Sequence, residues 1–382
     1  MSDRIPLARP LLGEREAAVA AEVLASGWLV QGPRVAAFEA AVAARCGVPF
    51  GVACSSGTAA LHLALAALGL PPGSKVLVPG YTFPATINVV LLCGLRPVIV
   101  DVDPTTFNVD PASALRALDG DDGTGDPSAP SVLLAVHQFG LPAPLDVLGP
   151  ACAERGVIVV EDAACALGAS LQVDGGDQPA GSLGAMACFS FHPRKIVTTG
   201  EGGLVSTADP DLDARLRRLR NHGMEYGPDG LQFVEAGFNY RLTELQGAIG
   251  VEQMARLDAL LADRRRIAAG YAARLTALTD RGVAFARVPD GATPTWQTIQ
   301  CLIPADAVLD EVIAAVRAQG VEVNFGAHAL HEHPAYANAA RPSTGLDGAS
   351  SARARGLALP VPFGLTDSDM DRVVDTLAGV LG

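Results

Sequence analysis

No stretch of this chain is long and apolar enough to cross a bilayer, although 49% of its 382 residues are hydrophobic. That apolar content therefore belongs to a buried core and not to a membrane span. The first residues, MSDRIPLARPLLGEREAAVAAEVLASG, lack the pattern of a secretory signal and read as an extended arm followed by an amphipathic helix. Basic residues are in the minority: 28 Lys and Arg face 41 Asp and Glu, a net charge of −13. Neither nucleic acid nor an anionic membrane is expected as a partner of such a surface. Seven cysteines, an odd number without zinc-type CxxC spacing, argue for reduced thiols and a cytoplasmic location. No apolar strand runs into a GxGxxG turn, which sets aside the dinucleotide-dependent oxidoreductases. There is no internal repeat.

What the chain does have is alternation. Apolar segments at residues 51–53, 75–78, 97–101, 131–136 and 157–161 alternate with helices rich in Ala and Leu. That order predicts an α/β fold with a mainly parallel sheet flanked by helices. The length allows two domains with a large core. Residues 119–130, DGDDGTGDPSAP, have the composition of an exposed acidic loop. From residue 243 to about 278 an uninterrupted helical pattern links a large domain, residues 1–250 with the arm, to a smaller one, residues 251–382. The smaller part reads as a strand at 297–303, a helix at 307–319, a strand at 321–324, and a closing helix at 368–381 capped by Thr366 or Asp367.

Four segments carry chemistry. In CFSFHPRKIVTTGEGG an apolar strand delivers Lys195 onto a turn before a second strand, 204–206. A lysine there is either a surface-turn residue or a desolvated amine suited to a Schiff base. In GVIVVEDAACALGA a β-branched strand ends in Glu161 and Asp162, where open α/β sheets place their ligand crevice. Asp162 could cap the next helix, or pair with a protonated pyridine nitrogen. In CSSGTAALHLALAAL a small-residue turn opens a helix, and Ser56, Gly57 and Thr58 offer donors for a phosphate, or merely a cap. PGYTFPAT places Phe83 just past a strand, as a core residue or a platform for a planar cofactor.

Taken in order, SSGTAAL, VPGYTFPAT, VIVVEDAA, FSFHPRK with TTGEGG, and GFNYRLTELQGAIG resemble the DegT/DnrJ/EryC1/StrS sugar aminotransferases over nearly the whole chain. The resemblance implies a pyridoxal-phosphate enzyme of fold type I, with a mostly parallel seven-stranded sheet in the large domain and a smaller α+β C-terminal domain. It implies that Lys195 holds pyridoxal 5′-phosphate as a Schiff base, that Asp162 pairs with the ring nitrogen and that Phe83 lies against the ring. Ser56, Gly57, Thr58 and Ser190 would bind the phosphate. Asn239, in GFNYR, would reach the cofactor phosphate of a neighbouring subunit, which implies a homodimer with shared active sites.

The implied reaction moves an amino group from L-glutamate or glutamine to a keto group of a nucleotide-linked deoxysugar. The Lys195 amine would carry the proton during the transfer. A keto-inositol acceptor stays open. A sugar dehydratase of the same family, with histidine in place of the lysine, and a regulatory homologue are disfavoured by the intact Lys195, Asp162 and phosphate loop. Cys165 stands where many family members carry His, Gln or Glu near the ring, and Gln138 is a candidate to replace that contact. Tyr81, His192, Trp296 and His328 are candidates for substrate contact, with Gln297 facing the same pocket as Trp296. His328, His331 and His333 lack the accompanying carboxylates of a hydrolytic metal site, so no metal is expected.

Overall fold

Strands apolar along both faces set the architecture. In the computed structural model, which describes residues 4–126 and 128–382, the central sheet comprises Phe50–Cys54 (β1), Lys75–Pro79 (β2), Arg96–Val100 (β3), Val132–Val136 (β4), Ile158–Asp162 (β5), Met186–Ser190 (β6) and Gly203–Thr207 (β7). They are ordered β1-β7-β6-β5-β4-β2-β3. All run parallel except β7, which is antiparallel to both β1 and β6. Successive residues point to opposite faces. On β2, Val76 and Val78 join one apolar cluster while Leu77 joins another. Helices cover both faces, as a parallel sheet requires. Each such fully buried Val or Leu contributes about 1.5–3 kcal/mol.

The helix Gly57–Leu68 shows how the sequence positions one of these covers. Ser56 caps it, its Oγ accepting the Ala59 N–H at 3.1 Å. Gly69 ends it in the left-handed region at φ 62°. Leu61, Leu63 and Leu65 are buried between these signals. Parallel strands followed by helices bring the carboxyl ends of β1, β2, β4, β5 and β6 to one edge of the sheet. Gly203, the first residue of the antiparallel β7, pairs with both Ser190 and Cys54 and so joins that edge.

A second core surrounds an antiparallel sheet ordered Ala284–Phe285, Ile299–Leu302, Gly356–Leu359, Asn324–Phe325. The helices Leu257–Leu275, Leu309–Ala318 and Asp367–Leu381 pack around it. Thr366 caps the last helix. The N-terminal arm also belongs here. Ile5 is buried in this cluster and bridges Val321 in parallel, and the Leu7 carbonyl accepts the Val361 N–H at 2.8 Å. The strand expected at 321–324 instead begins at Asn324, and Val321 bridges the arm.

Two other expectations are corrected. The helical pattern from 243 to 278 is interrupted: helices Glu244–Met254 and Leu257–Leu275 are separated at Ala255 and Arg256. Arg256 leaves helical geometry (φ −111°, ψ 6°) and turns its guanidinium to Glu16 at 2.9 Å. Apolar spacing cannot register so short a kink. The acidic loop is not wholly exposed either. Asp122 is buried and pairs with the buried Lys75 ammonium, Nζ to Oδ2 2.5 Å, while Lys75 also donates to the Asp126 carbonyl at 3.0 Å. Residue 127 of that loop, like residues 1–3 of the arm, lies outside the described residues.

Removing one partner of a buried pair leaves an uncompensated charge. Asp122→Ala is expected to lower the unfolding free energy in urea by about 3–5 kcal/mol. Lys75→Met combined with Asp122→Ala is expected to recover most of that loss. A single variant as stable as the parent would show that the Lys75 ammonium finds water.

Candidate active site

Strand β5 ends in two carboxyls that face opposite ways. Glu161 is fully buried. Its Oε2 accepts from His137 Nε2 and the Gly181 N–H, each at 2.8 Å, and its Oε1 from the amides of Leu183 at 2.9 Å and Gly184 at 2.8 Å. His137 Nδ1 accepts the Ala143 N–H at 2.8 Å, so Nε2 carries the ring hydrogen. Every acceptor direction of Glu161 is used, and the group is structural.

Asp162, next in the chain, is 6% exposed and has two partners. Thr86 Oγ1 donates to Oδ2 at 2.8 Å, and the Ala164 N–H donates to Oδ1 at 3.2 Å. Thr82 Oγ1, 3.2 Å from Thr86 Oγ1, extends the chain of hydroxyls. Burial pushes the Asp162 carboxyl above the ordinary aspartate range, against the lowering by Thr86, Ala164 and the nearby Lys195 and His137. No ion pair reaches it among the described residues. A desolvated carboxylate with acceptor capacity left over suits a cationic ring nitrogen.

The chain has two lysines. Lys75 is committed to Asp122, which leaves Lys195. It sits in a loop closed at its base, where the Phe191 N–H donates to the Gly202 carbonyl at 2.8 Å and the Thr199 N–H to the Phe191 carbonyl at 3.0 Å. Lys195 Nζ donates to Cys165 Sγ at 3.1 Å. Ala164, Cys165, Ser190 and Gln297 line the same cleft. His192 serves the turn: its carbonyl accepts the Lys195 N–H at 2.8 Å, and its Nδ1 accepts the Arg194 N–H at 3.2 Å.

The head of the helix Gly57–Leu68 lies beside Ser190. A Cβ on Gly57 would stand 2.7 Å from the Ser190 Cβ, and one on Gly203 would strike the Ser56 carbonyl at 2.1 Å. Both glycines are therefore required by close packing. The Gly57 and Thr58 amides open the first turn, have no intrahelical acceptor, and sit at the positive end of the helix dipole. With the Ser190 hydroxyl, and with Thr58 exposed, they form an uncharged anion cup. The donor set fits the phosphate of pyridoxal phosphate, as Lys195 and Asp162 fit its carbonyl and ring nitrogen.

The remaining candidates divide. Phe83 is 66% exposed, its ring edge-on to His328 at 6.3 Å. His328 is brought there by antiparallel pairing with Thr82. Burial, then His333 and Arg353, push the His328 imidazole below its ordinary range. Asn239 is exposed, on a segment pinned by the Tyr240 N–H to the Arg220 carbonyl at 3.0 Å and by the His222 N–H to the Phe238 carbonyl at 2.8 Å. Its side chain makes no hydrogen bond among the described residues.

Tyr81 is a correction: it is fully buried, its hydroxyl accepting the Ala327 N–H at 2.9 Å, and it packs in the core instead of facing substrate. Trp296 and Gln297 do not share a pocket. Gln297 Nε2 donates to the Arg194 carbonyl at 2.9 Å beside the lysine. Trp296 packs on Phe285, ring centroids 5.3 Å apart, and lines a separate cleft with Phe107, Gln138 and Phe139. Gln138 lines that second cleft, and among the described residues the side-chain partner of Cys165 is Lys195. Phe107, Phe139 and Trp296 all have positive φ, 64°, 58° and 55°, strain that no motif announced. Thr86 was also missed, since its partner lies 76 residues away.

Comparison with known proteins places the chain in a family. The model of the DegT/DnrJ/EryC1/StrS aminotransferase family matches residues 10–378. GDP-perosamine synthase of Caulobacter vibrioides is 38% identical over 386 residues, covering 100% of both chains. The aminotransferase TlmJ from Streptoalloteichus hindustanus is 32% identical, covers 99% of each chain and superimposes with a TM-score of 0.88. S. venezuelae DesV, solved in complex with a ketimine intermediate, is 31% identical over 100% of this chain and 99% of its own, with a TM-score of 0.86. The chain is an aminotransferase with the α/β fold of the pyridoxal-phosphate-dependent transferases, and it belongs to the DegT/DnrJ/EryC1/StrS aminotransferase family.

Proposed function

We propose that the chain is a pyridoxal-phosphate-dependent aminotransferase that carries an amino group from L-glutamate to a keto group of a nucleotide-linked deoxysugar. The observation that carries this reading is one uncommitted lysine in a cleft beside a buried, unpaired carboxyl at the head of a parallel sheet. The name of the 38% identical relative, which contains GDP, supports a nucleotide-linked acceptor. Bound, the cofactor supplies a carbonyl carbon that exchanges amines and a ring that accepts an electron pair.

The chain's own residues do the rest. Lys195 Nζ, the one amine in the cleft, holds the cofactor between turnovers and takes up and returns a proton once displaced. Asp162 keeps a proton on the ring nitrogen, because burial makes a cationic partner valuable to its carboxylate. Thr86 and Ala164 fix that carboxylate. The amides of Gly57 and Thr58, with the hydroxyls of Ser56, Thr58 and Ser190, hold the phosphate without adding a formal charge. Phe83 covers the ring, and His328, beside it, faces the acceptor sugar. Incubating the purified protein with glutamate and a panel of nucleotide-linked keto-sugars, and reading product masses, tests the reading. An amine product, roughly 1 Da heavier than its ketone, with 2-oxoglutarate formed in equal amount, is the expected result. No amine product with any ketone, sugar or cyclitol, would overturn it.

Asp162→Asn separates chemistry from folding. The Asp162 carboxyl is raised in the folded state, so its contribution to stability is present below the unfolded carboxyl range and is lost as pH rises through the folded value. At pH 7 the cofactor-free Asn variant is expected to be at least as stable as the parent, with the advantage vanishing at acid pH. Its transamination rate is expected to fall by about 10²-fold or more. Parent-like turnover would reduce Asp162 to a structural cap.

The exposed Asn239 supports a homodimer in which each subunit completes the other's phosphate cup. Lys195→Ala and Asn239→Ala protein, mixed under subunit exchange, would give heterodimers with one doubly deficient and one intact site. Activity is expected to rise above that of either variant alone. No rise despite verified exchange would assign Asn239 to its own subunit.

A further inference from the structure

We propose that Cys165 and Lys195 form a peroxide-sensitive covalent pair, a sulfur–nitrogen bond that withdraws the lysine amine when no cofactor holds it. The motivating contact is Lys195 Nζ to Cys165 Sγ at 3.1 Å. Both side chains are partly exposed in one cleft. The main chain that carries the sulfur is held in place from behind. The Cys165 carbonyl accepts Thr295 Oγ1 at 2.7 Å, and Gly140, at φ 90°, lets the chain pass so close that a Cβ there would stand 2.7 Å from that carbonyl. These contacts fix the main chain at Cys165, from which the sulfur reaches the amine.

The other six cysteines are poorly placed for the same chemistry. Burial pushes the thiols of Cys46, Cys54 and Cys301 up to about 12 and that of Cys152 to about 11. It also raises Cys93 and Cys188. A thiol held protonated reacts slowly with peroxide, since the thiolate is the nucleophile. Among the described residues, Cys165 alone has a side-chain amine in hydrogen-bond contact.

The chemistry balances in two steps. The Cys165 sulfur attacks hydrogen peroxide; the O–O bond breaks, sulfur loses two electrons to the peroxide oxygens, and a sulfenic acid and one water result. The Lys195 nitrogen lone pair then attacks that sulfur. A S–N bond forms, the S–O bond breaks, and the hydroxyl leaves with the amine proton as a second water. Two equivalents of an external thiol reverse the link, one thiol replacing nitrogen on sulfur and the second releasing Cys165 as the reduced thiol. Bound cofactor would occupy the amine and prevent the second step. That consequence for activity rests on the function proposed for Lys195, whereas the bond itself rests on the contact alone.

Peptide mass tests the bond independently of activity. Full-length protein, freed of cofactor and treated with hydrogen peroxide, is digested without reductant. The expected product joins the Cys165 and Lys195 peptides and is about 2 Da lighter than their sum. Dithiothreitol should release both peptides unmodified and restore cofactor binding, read by visible absorbance. Cofactor-loaded protein should give no such product. Cys165→Ser protein, its fold verified by circular dichroism, should give none either. Sulfenic or sulfinic acid on Cys165 with no joined peptide, or a joined pair that retains an extra oxygen, would overturn the proposal. So would faster oxidation of Cys93.

Discussion

The head of the sheet depends on how β5 disposes of two adjacent buried carboxyls. A strand sends neighbouring side chains to opposite faces, so Glu161 and Asp162 meet different surroundings although they are consecutive. Glu161 is met by three backbone amides and His137, and it pins the 181–184 turn that leads into β6. Asp162 receives only a hydroxyl and one amide. One carboxyl is satisfied by the fold and fixes the strand that carries Ser190 toward Lys195. The other is left short of partners, and the deficit is what a cationic cofactor ring would fill. Structure and chemistry are divided between consecutive residues, and neither role can be moved without shifting the register.

Charge tells a related story. The chain carries a net charge of −13, yet the donors that would suit an anion are a helix start and hydroxyls. Positive charge would have to be placed deep in the edge of the sheet, where desolvation opposes it. The dipole of the helix Gly57–Leu68 and its free amides provide the same attraction with no ion to bury. The close approach of Gly57 to Ser190, and of Gly203 to the Ser56 carbonyl, explains why small residues crowd that part of the sequence.

Much of this was legible in the sequence. Alternating β-branched strands and Ala/Leu helices mark the central layer because their periods are written locally, and Lys195, Asp162 and the SSGT turn stand out by their position at strand ends. What stayed hidden required pairing across distance. Thr86 touches Asp162, Asp122 neutralises Lys75, and the arm at Ile5 enters the C-terminal core; none of these leaves a local mark. Tyr81 packs inward, and in sequence a strand-end aromatic looks the same whether it faces a cleft or the core. The kink at Arg256 escaped because two residues barely disturb a helical period. The left-handed backbone at Phe107, Phe139 and Trp296 is held by tertiary packing, against what aromatic side chains prefer.

With two lysines in the chain, one of them buried against Asp122, the central claim reduces to a choice that one measurement makes. Pyridoxal phosphate bound to the purified protein is reduced with borohydride, and the digested peptides are sequenced by mass spectrometry. The account predicts that the fixed cofactor lies entirely on the peptide that contains Lys195. Cofactor on Lys75, or none fixed to either lysine, would contradict it.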